Sequence, residues 1–139
     1  MATIRLKKSI SQASTHPIVS VYPETQLREL LFALEEHNFV VVVRKGDGHV
    51  VGLVSRIDVV KAYLSDKDWA DREVADVMTP EEDLIWLPNS VELQEAIKRM
   101  VDSDIHQLVV YGPAEGGRFP IGVVTLADAV RELRSEVET

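Results

Sequence analysis

Two stretches of the chain repeat one pattern of glycine, hydroxyl residue and aspartate: Gly52-Leu53-Val54-Ser55-Arg56-Ile57-Asp58 and Gly122-Val123-Val124-Thr125-Leu126-Ala127-Asp128. In each, a glycine and two apolar residues lead to a hydroxyl residue, and an aspartate follows three positions later. That spacing fits a strand passing into a helix, with the hydroxyl as N-cap and the carboxylate closing a capping box at the positive end of the helix dipole. The same atoms suit a ligand. A carboxylate that accepts two hydrogen bonds matches a vicinal diol, and a hydroxyl beside helix N-terminal amides matches phosphate oxygens. Either glycine would let a ligand or a neighbouring backbone come close to the strand end. Capping and ligand binding both remain open at this point.

The elements that must hold these motifs are themselves repeated. Pro23 leads to Thr25, Leu27, Leu30, Leu31 and Leu34, and Pro88 leads to Ser90, Leu93, Ala96, Ile97 and Met100. Both runs have the i, i+3, i+4, i+7 spacing of an amphipathic helix. Thr25 is the expected cap of the first helix, and Asn89 with Glu92 the expected capping pair of the second. Apolar runs follow, Phe39 to Val43 and Ile105 to Tyr111, the first with the unbroken character of a strand buried on both faces. Gly46-Asp47-Gly48 reads as a hairpin turn, and the second turn, Gly112 to Pro120, reads as a longer one. Short strands at Ile18 to Val21 and Leu84 to Leu87 complete two β-α-β-β-α units. The expected class is α+β, each unit a three-stranded mixed sheet with helices on one face, and the two units packed about a pseudo-twofold axis. The expected boundaries are an N-terminal arm over 1–9, a first domain over 10–65, a charged linker over 66–73 anchored by Trp69, and a second domain over 74–139.

Composition narrows the function. At 139 residues and 45% hydrophobic, the chain can bury one ordinary core or two half-size units that share one. The formal charge of −8, from 23 acidic and 15 basic residues, argues against nucleic acid or an anionic membrane as partner, since neutralising phosphates takes a concentrated basic face. Cysteine is absent, which excludes disulfides and thiol chemistry and fits a reducing compartment. No secretory or membrane signal is visible, so the expected location is the cytoplasm. His16, His37, His49 and His106 lie on different elements, and the sequence holds no H-E-x-x-H, G-x-S-x-G or P-loop; the chain is read as a non-enzyme.

The duplicated motifs, together with Asp76-Val77-Met78-Thr79-Pro80, resemble the cystathionine beta-synthase (CBS) domain family, over nearly the whole chain from about Ile10. A tandem pair of such domains, a Bateman module, binds adenosine-containing ligands such as AMP, ADP, ATP or S-adenosylmethionine in clefts between the domains. The resemblance implies Asp58 and Asp128 as ribose contacts and Ser55 and Thr125 as phosphate or ribose contacts. It adds Thr79, and the backbone around Ile18, Val19 and Ile85 as purine contacts. Where many members have a His-Arg pair this chain has His106-Gln107, with Val40-Val41 standing in the first unit, and the family position implies His106 as a ligand contact. Arg56 after Ser55 is a further expected ligand contact, and against Leu126 after Thr125 it implies chemically unequal clefts. Lys61 and Arg131 read as i,i+3 ion-pair partners of the motif aspartates. Trp86 fits either core or a purine stack.

Two functions follow from this. One is a regulatory sensor whose ligand alters the geometry of the module and signals to a separate partner. The other is a ligand-free dimerisation or interaction module. The resemblance also implies a homodimer burying the helices around Leu27 to His37 and Leu93 to Ser103, with Phe32 at the interface.

Overall fold

The structure is a computed structural model and describes residues 6–12, 18–112 and 119–138. The chain divides into two compact units, one of Ile18–Leu84 and one of Ile85–Thr139 together with Met1–Pro17. The class is α+β, and each unit runs strand, helix, strand, strand, helix as expected.

In the first unit these elements are β1 (Ser20–Val21), α1 (Leu31–Glu36), β2 (Phe39–Val43), β3 (Val50–Ser55) and α2 (Arg56–Ser65), followed by β4 (Thr79–Pro80). The sheet order is β1-β2-β3-β4, with β1 parallel to β2 and the remaining pairs antiparallel. The sheet therefore has four strands where three were expected, because Thr79 and Pro80 pair with Leu53 and Gly52. The second unit has β5 (Trp86–Pro88), α3 (Leu93–Asp102), β6 (Gln107–Gly112), β7 (Phe119–Thr125) and α4 (Leu126–Glu138), in sheet order β5-β6-β7. Both central hairpins shift register at matching places, between Val42 and Val43 and between Val110 and Tyr111.

Burial explains the strand sequences. Val40, Val41 and Val42 are fully buried, which is why β2 lacks alternation. Leu27, Leu30, Val54 and Val74 contribute to the first core; Leu6, Ile10, Leu93, Met100 and Leu108 contribute to the second. Trp86 is core, edge-to-face with Tyr111 at a centroid distance of 6.2 Å, an arrangement that aromatic pairs favour.

The helix starts differ from expectation. Gln26, not Thr25, is the cap of a 3-10 turn over Leu27–Leu30 that feeds α1, and its N–H donates to Glu29 Oε2 at 2.8 Å. The Thr25 hydroxyl instead accepts the Tyr22 N–H at 3.1 Å, closing the preceding turn. Likewise Glu92, not Asn89, precedes α3 as its cap residue, while Asn89 donates its N–H to the Tyr111 carbonyl at 3.0 Å. In both cases the proline-led segment makes one extra turn before the helix begins.

Each unit is completed by a short segment held in the same way. In the first, the Leu27 N–H donates to the Arg72 carbonyl at 2.9 Å, Val74 to Thr25 at 2.8 Å and Ala75 to Pro23 at 2.9 Å. In the second, Leu93 donates to Lys8 at 2.8 Å, Ile10 to Val91 at 2.8 Å and Ser11 to Asn89 at 2.9 Å. The 3-10 turns Ile10–Gln12 and Val74–Asp76 are thus counterparts. Residues 6–12 are docked onto the second unit by these bonds, and Lys8 adds an ion pair to Glu132 at 3.1 Å. Residues 66–73 fold back too, with Trp69 edge-to-face on Tyr63 at 5.9 Å and Arg28 paired with Asp71. In the first hairpin turn Gly46 takes a φ of 98° and Gly48 a φ of 73°, left-handed conformations that favour glycine. Between them Asp47 bonds Arg44 and the His49 N–H, which hold its carboxyl down at about 2, since both favour the charged form. The longer second turn over 113–118 lies outside the described residues, as do 1–5 and 13–17.

Candidate functional site

Both motifs lie where a strand hands over to a helix, β3 to α2 and β7 to α4. Ser55 is extended, with φ −105° and ψ 170°, so its side chain turns back over the first helical amides. Its N–H and hydroxyl donate to Asp58 Oδ2 at 2.9 and 3.0 Å, and its side chain accepts the Asp58 N–H. Thr125 repeats the arrangement: N–H and hydroxyl to Asp128 Oδ2 at 2.8 and 3.1 Å, and the Asp128 N–H to Thr125 Oγ1 at 3.2 Å. Hydroxyl and carboxylate are locked together in both copies.

The copies differ around the second carboxylate oxygen. Asp128 is fully buried, and Arg131 Nη2 sits 2.9 Å from its Oδ1. Asp58 is half-buried, and among the described residues its Oδ1 has no hydrogen-bond partner. Lys61 stands three residues after Asp58 as Arg131 does after Asp128, but among the described residues it makes no pair. Of the two i,i+3 ion pairs expected, only the second is formed.

Arg56 is directed elsewhere. Its Nε donates to the Leu34 carbonyl at 2.6 Å, Nη2 to the Glu35 carbonyl at 3.0 Å and Nη1 to Asn38 Oδ1 at 2.8 Å. The carbonyls at the end of α1 lack helical partners, and a guanidinium fork fits them. The Arg56 N–H donates to the Asn38 carbonyl at 3.1 Å, and the Leu126 N–H to the His106 carbonyl at 3.0 Å. These bonds, with Phe39 opposite Ser55 and Gln107 opposite Thr125, make Asn38-Phe39 the counterpart of His106-Gln107. Val40-Val41 is therefore not that counterpart; the apolar run begins before it. The His106 side chain is exposed.

The remaining predicted residues divide between the units. Thr79 lies on β4 opposite Leu53, two residues before Ser55. Ile18 and Val19 are half-buried ahead of β1, and the Val19 carbonyl accepts the Val41 N–H at 2.9 Å. Ile85 is half-buried ahead of β5. The first unit thus holds Ile18, Val19, Ser55, Arg56, Asp58 and Thr79; the second holds Ile85, His106, Thr125 and Asp128.

The two glycines also part company. A Cβ on Gly52 would lie 2.5 Å from Met78 Sδ and 2.8 Å from the Thr79 carbonyl oxygen. The neighbour that needs this glycine is the chain itself. Gly122 lines a cavity of about 160 Å³ with Ile10, Ser11, Asn89, Val110 and Ile121. The sequence does not mark Ser11 or Asn89 as site residues. The one signal for them is the repeat alignment, which sets Ser11 against Ala75. No group of three or more His, Asp or Glu side chains among the described residues could hold a metal ion, and no described helix is long and apolar enough to cross a membrane.

The CBS domain family model matches residues 9–65 and 74–135. A curated relative, Uncharacterized protein MK0525 of Methanopyrus kandleri, is 26% identical over 126 residues, which is 88% of this chain and 61% of that protein. The chain thus spans about three fifths of that relative's length. Among solved structures, the CBS domain of the bacterial CNNM/CorC family Mg2+ transporter in complex with ATP is similar at a TM-score of 0.75 and 25% identity, covering 93% of this chain and 89% of that one. The CBS domain pair of protein MJ0100 in complex with 5'-methylthioadenosine and S-adenosyl-L-methionine has a TM-score of 0.78 at 18% identity, with 93% and 98% covered. Two tandem matches over two units of the same element order leave one conclusion: the chain belongs to the CBS domain family, as a tandem pair of CBS domains.

Proposed function

We propose that this chain is a regulatory module that binds an adenosine-containing ligand, AMP, ADP, ATP or S-adenosylmethionine, at a hydroxyl–aspartate turn of the kind it carries twice, and passes the signal to a separate partner. The observation that carries the reading is the preorganised Ser55–Asp58 turn, in which the hydroxyl and one carboxylate oxygen are fixed while the other oxygen is open. A ribose offers two adjacent hydroxyls, and one carboxylate oxygen has two lone pairs to receive them. The similar CNNM/CorC and MJ0100 structures hold ATP, and 5'-methylthioadenosine with S-adenosyl-L-methionine, whose common part is adenosine. Ile18, Val19 and Thr79 complete the contacts proposed at the first turn, and Ile85, His106, Thr125 and Asp128 are the corresponding residues of the second. Arg56 supports the site indirectly, because its guanidinium is bonded to α1.

Ligand can alter the module only by its differential affinity for two arrangements. That output requires no catalysis, so the reading assigns none, and it places the protein in the cytoplasm. A homodimer is part of the same reading. It is supported by large exposed apolar residues on the two helices concerned, Phe32 at 78% on α1 and Val101 at 66% on α3. Exposed apolar surface of this kind marks interaction sites when it is contiguous.

The test is isothermal titration with the four ligands on the wild type, Asp58→Ala and Asp128→Ala. Saturable micromolar binding, lost in one variant, is expected, and ligand at a hundred times Kd should add about 2.7 kcal/mol of stability. No heat and no thermal shift with any of the four would end the sensor reading. It would leave the second one, a ligand-free dimerisation module. That alternative is favoured by one observation: both capping boxes are complete without a ligand.

A further inference from the structure

We infer that the two repeated turns are not equivalent receptors: Asp58 is open to a cis-diol, whereas Arg131 occupies the corresponding oxygen of Asp128 and closes the second turn. The inference rests on the adenosine-ligand reading and goes beyond it by naming the competent turn and the residue that decides the matter.

Both carboxylates spend Oδ2 identically, on the N–H and hydroxyl of the residue three before. A diol must therefore use Oδ1. At Asp58 that atom has no protein partner among the described residues, and the residue is half-buried, hence reachable. At Asp128 the same atom is 2.9 Å from Arg131 Nη2, and the carboxylate is fully buried. A ligand hydroxyl arriving there must displace the guanidinium and donate to the same oxygen in its place, exchanging an ion pair for a hydrogen bond from an uncharged donor, an unfavourable exchange. The residue that differs is the one three positions after the aspartate: a guanidinium at 131, an ammonium at 61. Arg131 is itself 42% exposed on its side chain, so substituting it disturbs little packing.

The experiment exchanges those residues. AMP and S-adenosylmethionine are titrated into the wild type, Asp58→Ala, Asp128→Ala, Arg131→Lys, Arg131→Met and Lys61→Arg, with bound ligand per chain counted by native mass spectrometry. One equivalent in the wild type is expected, lost in Asp58→Ala and kept in Asp128→Ala. Both Arg131 variants should rise to two. Arg131→Met serves as the check that loss of the fork, rather than gain of lysine, is responsible. Lys61→Arg should weaken the first site roughly tenfold to a hundredfold, the worth of one charged hydrogen bond. Two equivalents in the wild type, or one that disappears in Asp128→Ala, would overturn the inference and leave the adenosine reading standing. No binding of either probe by any of the six proteins would overturn both.

Discussion

A buried carboxylate survives in a protein only where its lone pairs are answered, and Asp128 is answered by the Thr125 N–H, the Thr125 hydroxyl and Arg131. Asp58 has the first two kinds of partner and more solvent. Removing each carboxylate should therefore cost differently. Asp128→Ala strands a buried hydroxyl and N–H, which at about 1–3 kcal/mol exceeds the loss of a half-exposed capping contact at about 1 kcal/mol in Asp58→Ala. Urea unfolding of the two variants should show the larger fall in midpoint for Asp128→Ala; equal falls would mean that burial at position 128 has no energetic weight. At this scale the sequence is readable as far as local spacing reaches. The hydroxyl–aspartate box and the Arg131 pair depend on residues three apart on one helix. The direction of Arg56 does not, because its acceptors at Leu34, Glu35 and Asn38 arrive through the tertiary fold.

Those acceptors make Arg56 a tie between elements. Helix α1 has only six residues, far below the length at which a helix holds itself in water. Its start is secured by the Gln26 and Glu29 side chains, and its end by the Arg56 fork across from α2. Arg56→Ala should cost about 1–3 kcal/mol, through two carbonyls left without a charged donor. Arg56→Lys should recover less than half, since an ammonium cannot span both. Hydrogen exchange at the His37 amide, bonded to the Ala33 carbonyl at 2.8 Å, is the local readout and should accelerate in both variants. If it does not, α1 is held by its apolar face alone. Among the elements, β2 and the strand–helix order are legible because an unbroken valine run and a helical stripe carry their own periods. The start of α1 is not, because Thr25 and Gln26 both offer side chains that can bond a backbone N–H, and the turn at Tyr22 takes the former. Strand β4 is two residues long, too short for any alternation to show. What marks it is the space that Gly52 leaves for Met78 and Thr79.

For the molecule as a whole, the repeat in sequence and the compact unit in space are cut at different places. The repeat matches residues 9–65 and 74–135, while the first compact unit is Ile18–Leu84. The difference is the segment after Asp71, which gives the first unit β4, the buried Val74 and three backbone bonds onto residues 23 to 27. A unit of about 60 residues buries barely enough surface to fold. Losing Val74 alone forfeits about 1.5–3 kcal/mol of burial, before the uncovered edge of β3 is counted. Two fragments distinguish the cuts. Residues 18–84 should give a dispersed amide spectrum and a cooperative melt, whereas residues 9–65, which hold the entire first repeat, should give neither. The reverse result, or equal folding by both, would mean that the docked segment is an accessory to a unit already complete. The expected result would mean that duplicating the motif also handed each copy's opening segment to the other's core, so that neither repeat can be removed without unfolding part of what remains.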